Sequence, residues 1–142
     1  MLRSFARAPA VALAVCVALA GCGGSDVAPV SGTLTYKGKP VTNAFVNFVP
    51  ADGGRPSIGE TDPDGKFTLV YDPKVNGAKI GKHRVFVEHN PTADAGKPGA
   101  VPGATPQLSP DLKEFFSKYG GDKSTVEVTI DGSESDLKLA WD

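Results

Sequence analysis

From Val30 onward, apolar and polar positions mostly alternate with period two, and each run ends at turn residues. That period places successive side chains on opposite faces of a strand. Val30, Leu34 and Tyr36, with Gly32 between them, alternate with Ser31, Thr33 and Thr35 until Lys37-Gly38-Lys39-Pro40 breaks the run. A second run, Val41 to Val49, has Ala44, Val46 and Phe48 on one face. Phe45, Asn47 and Val49 form its other face, so the pattern predicts a strand covered on both sides. Shorter strands are expected around Ser57 to Thr61, through Phe67, Leu69 and Tyr71, and along Lys82 to Glu88. Val126, Val128 and Ile130, then Leu137, Leu139 and Trp141, close the series, which amounts to about seven strands. Asp62-Pro63-Asp64-Gly65, Asn76-Gly77 and Asp131-Gly132 are the expected reversals.

One stretch breaks this rhythm. Asn90 to Gln107 is rich in Pro, Gly and Ala without an apolar period, longer than most connections inside a compact domain. Ser109-Pro110-Asp111 then supplies a helix N-cap, a first-turn proline and a first-turn acid. Leu112, Phe115, Phe116 and Tyr119 follow at helical spacing until Gly120-Gly121. This stripe predicts a short amphipathic helix near residues 109–119. It either plugs an open end of the sheet layers or offers a partner an apolar contact.

The N-terminus has a different pattern. Arg3 and Arg7 precede an apolar run from Ala8 to Ala20, which is shorter than the ~20 residues a membrane-spanning helix needs. Small residues Ala20 and Gly21 lead into Cys22. The segment therefore predicts a signal peptide over residues 1–21, with a flexible tether, Gly23-Gly24-Ser25-Asp26, beyond it. Cys16 would leave with that peptide. Cys22 then stands alone, and the processed chain forms no internal disulfide.

Composition narrows the function classes. The chain of 142 residues has 15 basic and 16 acidic side chains. Removing Arg3 and Arg7 leaves 13 against 16, a net charge of −3. A mildly acidic chain without a basic cluster argues against nucleic-acid binding. Seventeen Gly and twelve Pro favour many turns and an all-β chain.

Two resemblances follow from these residues. Leu19-Ala20-Gly21-Cys22 is similar to the bacterial lipobox, which implies diacylglyceration of the Cys22 thiol and acylation of its new amino group. Two or three acyl chains would hold the protein on a membrane, because each buried CH₂ contributes about 0.8 kcal/mol. Gly23 stands where an Asp would favour the inner membrane, which leans the expectation toward the outer one.

The second resemblance spans Val30 to Val87. Val30–Tyr36, Gly38-Lys39-Pro40-Val41 and Ala44–Phe48 resemble the opening of carboxypeptidase regulatory-like domains. Thr61-Asp62-Pro63-Asp64-Gly65-Lys66-Phe67 resembles that family's hairpin. Ile80–Val87 resembles its following strand, with Ile80 in a proline place and His83 in an aromatic place. The resemblance implies a seven-stranded Greek-key, transthyretin-like (prealbumin-like) β-sandwich over residues 28–142, carried by a lipidated N-terminus and tether at 22–27. It implies a fold more than an activity.

Candidate chemistry is sparse. Asp62 and Asp64 could begin a calcium loop, but the further oxygen ligands and distal acid are missing, and a hairpin turn explains them. His83 and His89 share one strand face yet lie roughly 20 Å apart at ~3.3 Å per residue, too far to share an ion. Hydroxyisourate hydrolases end in Tyr-Arg-Gly-Ser, whereas this chain ends Lys138-Leu139-Ala140-Trp141-Asp142. Intradiol dioxygenases need two Tyr and a His-x-His; Tyr36, Tyr71 and Tyr119 are present, but that spacing is not. The expectation is a non-catalytic envelope module without cofactor or metal, lipidated at Cys22. Its partners would be membrane lipid and either an envelope protein or a glycan; a carbohydrate-binding module or a transthyretin-like enzyme are the alternatives.

Overall fold

A computed structural model describes residues 26–93 and 107–142. The expected signal peptide over residues 1–21, Cys22, most of the expected tether and much of the 90–107 segment lie outside the described residues.

The described chain is all-β apart from one short helix. Its strands are β1 (Val27–Ala28), β2 (Val30–Tyr36), β3 (Lys39–Pro40), β4 (Ala44–Pro50), β5 (Ser57–Glu60) and β6 (Lys66–Thr68). They continue as β7 (Val70–Asp72), β8 (Val75–Asn76), β9 (Ala78–Lys79), β10 (Gly81–His89), β11 (Val126–Ile130) and β12 (Glu134–Trp141). Helix α1 (Pro110–Tyr119) precedes β11. One sheet runs in the order β11-β10-β4-β5-β7-β8. A second has β12 and β3 flanking β2, with β6 also paired to β2; β1 and β9 form a separate pair.

The core lies where the inward positions of both sheets meet. Val30, Leu34, Tyr36, Phe67 and Leu139 come from the second sheet, and Ala44, Val46, Phe48, Val85 and Val87 from the first. These are the alternating residues of the sequence pattern, and burial of their apolar surface is the main stabilising term.

The structure departs from the sequence reading in four places. The run Phe67, Leu69, Tyr71 is one strand by alternation but two in space. β6 pairs with β2 in the second sheet, and β7 pairs with β5 in the first. The break falls at Leu69, which is fully buried and whose N–H donates to Val30 O at 2.9 Å. Inward parity survives such a corner, so periodicity cannot reveal it.

Asn76-Gly77 is likewise no hairpin turn. The β7–β8 reversal uses Pro73-Lys74, where Asp72 Oδ1 accepts from Lys74 N at 2.8 Å. Gly77 has φ of +127°, and a Cβ there would sit 2.0 Å from Ala28 O, so close backbone approach requires glycine. Val27, expected at the end of the tether, pairs with Lys79. Finally, β12 joins β2 in parallel after crossing from the other sheet, with a register shift between Glu134 and Leu137.

Candidate interaction surface

The histidines flagged by sequence have separate surroundings. His83 is fully buried and packs on Phe48, with ring centroids 5.7 Å apart. Its Nε2 lies 2.6 Å from Lys79 O, a carbonyl that can only accept, so the proton sits on Nε2. Nδ1 is buried without a hydrogen-bond partner. His83 thus packs as the aromatic ring it replaces. His89, at the other end of β10, meets Phe116 edge-on at 5.6 Å. Inward-facing Val85 and Val87 separate the two rings along the strand.

Asp62 has a structural role in the Asp62–Gly65 turn. Asp62 Oδ1 accepts from the N–H groups of Asp64 and Lys66, each at 2.9 Å. Among the described residues, no group of three or more His, Cys, Asp or Glu side chains is arranged to hold a metal ion.

The helix stripe is covered. Ser109 Oγ accepts from Leu112 N, which caps α1 as its sequence predicts. Phe115 is fully buried, 5.0 Å from the Tyr36 ring and 5.8 Å from that of Trp141. Tyr119 stacks on Trp141 at 4.6 Å, and its hydroxyl donates to Asp142 O. The stripe therefore plugs the end of the core where β2, β10 and β12 finish. Tyr36 and Tyr119 belong to this cluster; Tyr71 lies apart on β7.

An ion pair holds the helix to the β2–β3 turn. Lys37 Nζ donates to Glu114 Oε2 at 2.9 Å, with Asp111 4.0 Å away. This hydrogen bond, with a smaller contribution from Tyr36, raises the Lys37 ammonium above its ordinary value; the same bond lowers the Glu114 carboxyl.

The outer faces of the two sheets differ. On the second sheet, Thr33 pairs with Lys66 and Lys138, and Ser31 with Thr68. Ser31, Thr33, Lys66 and Thr68 line a shallow groove of about 760 Å³ together with Glu60, Asp62, Val70, Ser135 and Asp136. A Cβ on Gly32 would meet Leu137 O at 2.1 Å, so only glycine lets β12 bulge at this groove.

The outer face of the first sheet carries an apolar patch between charged ends. One row across its strands reads Phe86, Asn47, Ile58, Val70. Val49 lies on one side of this row and Phe45 on the other. Ile58 and Val70 are each 42% exposed, and neighbouring Val75 is 39% exposed. Phe45, Val49 and Phe86 are half-buried. Asn47 is only 5% exposed; its Nδ2 lies 3.4 Å from both Phe45 O and Glu88 Oε2.

Sequence reasoning anticipated cover for this face and did not single out Ile58 or Val70. The signal available was the apolar character of Phe45 and Val49 at both outward ends of β4. Among the described residues, no helix is long and apolar enough to cross a membrane. No family model, curated protein or solved structure matches the chain.

Proposed function

We propose that this protein is a non-catalytic binding or structural module of the bacterial cell envelope, anchored by lipid on Cys22. The domain is read as a seven-stranded Greek-key, transthyretin-like sandwich of the carboxypeptidase regulatory-like type. The observation that carries the binding role is the apolar patch on the outer face of the first sheet, where Ile58 and Val70 are exposed and Phe45 and Phe86 are half-buried. Apolar patches of this kind on a polar-rimmed surface mark contact sites. The large apolar side chains most exposed among the described residues, Ile58, Val70, Val75 and Ile80, are all aliphatic. Sugar recognition relies on exposed aromatic rings, so this face favours a protein partner over a glycan. Burial of His83 and the turn role of Asp62 support a reading without catalysis.

The anchor supports this role by the elimination of Cys16 and the Leu19-Ala20-Gly21-Cys22 pattern. Fractionation of cells carrying Cys22→Ala tests it. The variant should move from the membrane to the soluble fraction and stop incorporating labelled palmitate. A variant that still sediments with membranes and still takes up label would refute lipidation at Cys22.

A further inference from the structure

We propose that the apolar outer face of the first sheet pairs with the same face of a second copy of this chain, in an antiparallel two-fold contact. The inference rests on the anchored-module reading above and names its partner.

Charge placement selects that occupant. Along β10, the face begins with Lys82 and Arg84, continues through Phe86 and ends at Glu88. On β5, the apolar Ile58 is followed by Glu60 toward the same end as Glu88, because Phe45 pairs with both acids. Among the described residues, the carboxylates of the acidic end meet neutral partners: Asn47 for Glu88 and Asn90 for Glu60. At the basic end Lys82 reaches Glu127 at 3.4 Å, while Arg84 donates from Nη1 to Gly121 O at 2.9 Å, lies 3.9 Å from Asp122 and sits over the Phe86 ring at 5.2 Å. A two-fold axis lying in the face along the row Phe86–Asn47–Ile58–Val70 turns one copy end for end. Arg84 of each copy then faces Glu88 of the other, and the apolar rows meet. A two-fold contact requires such self-complementarity.

Area sets the strength. Strands β10, β4, β5 and β7, nine, seven, four and three residues long, cover roughly 350 Å² at ~3.3 Å per residue and about 4.8 Å between strands. Stable complexes bury about 800 Å² per partner, so free chains would pair weakly. Confinement of anchored copies to one membrane raises their effective concentration and makes weak pairing effective.

Facing sheets sit ~10 Å apart, beyond disulfide reach, so a short bis-maleimide is the probe. The full chain carrying Ile58→Cys is crosslinked in membranes, beside a Thr68→Cys control on the other outer face. Ile58→Cys should give at least about a fivefold higher dimer yield. Adding Arg84→Glu or Glu88→Arg alone should remove that excess, and the double reversal should restore it. Equal yields from Ile58→Cys and Thr68→Cys, or a double reversal that restores nothing, overturn the pairing. The chain without added cysteine sets the background. Crosslinking of that parent through Cys22 would count against acylation, while the excess at Ile58→Cys would still report the face.

Discussion

Two apolar surfaces of this domain have opposite fates. The helix stripe Leu112, Phe115, Phe116 and Tyr119 is the obvious amphipathic feature of the sequence, and the fold buries Phe115 and half-buries the other three. Phe115 has no exposed surface and touches rings from β2 and β12. The outer residues of β4 and its neighbours, Phe45, Val49, Phe86, Ile58 and Val70, are an equally apolar set on a strand expected to be covered twice. There, Ile58 and Val70 remain 42% exposed. Apolar patterning fixes which residues share a face; whether another element reaches that face depends on topology.

The widest gap between the two surfaces should appear in stability. Phe115→Ala removes a ring at the centre of the end cluster and leaves a cavity, at a cost of about 3–5 kcal/mol. Chemical denaturation of the variant measures it. A loss under 1 kcal/mol would mean the stripe is no plug, and the contrast with the sheet face would collapse.

His83 tests the core under the opposite end of β10. His83→Ala should cost about 2–4 kcal/mol through lost packing on Phe48 and the lost hydrogen bond to Lys79 O. His83→Phe keeps an aromatic body and removes the unpaired Nδ1, which offsets the loss of the Nε2 bond; it should fall within about 1 kcal/mol of the parent. Equal destabilisation by both variants would show that the hydrogen bond, rather than the ring, fixes this position.

Ile58→Ser sharpens the other side of the comparison. It changes a side chain that is 42% exposed, so folding stability should fall by about 1 kcal/mol, well short of the Phe115→Ala loss. In membranes, its effect on crosslinking through a reporter Val70→Cys should be large by contrast. A variant that lost several kcal/mol would reveal that the face is covered after all.

These contrasts also mark what the sequence could disclose. Val30, Leu34, Ala44, Val46, Phe48, Val85 and Val87 were legible as core because a strand has only two faces and one must be buried. The cap, proline and aromatic spacing of α1 were legible because each acts within a few residues. Leu69 hid a switch between sheets, since a corner preserves alternation while changing the hydrogen-bond partners. Gly77 looked like a turn residue, yet its need is proximity to Ala28 O, a contact far away in sequence. Ile58 and Val70 were illegible as a surface for the same reason: they belong to different hairpins and become neighbours only when β5 pairs with β7.

The smallest expected effect concerns how the covered surface is fastened at its edge. The Lys37–Glu114 pair ties α1 to the β2–β3 turn in full solvent, so salt should screen it. Glu114 titrates lower in the folded chain than unfolded. Its contribution is present above the ordinary glutamate value of about 4.3 and is lost as pH falls through the lowered folded one. Lys37 shifts the other way: its contribution is present below about 10.4 and is lost as pH rises through the raised folded value. Glu114→Gln should therefore flatten the acid limb of a thermal melt series at low salt and do little in high salt. An acid limb unchanged by the substitution would shift the fastening of the helix to the ring contacts of Phe115, Phe116 and Tyr119 and to the hydrogen bonds of Lys118 and Tyr119 with Asp142 O. The contrast between a plugged end and an open sheet face would then rest on packing and these C-terminal hydrogen bonds, without the ion pair.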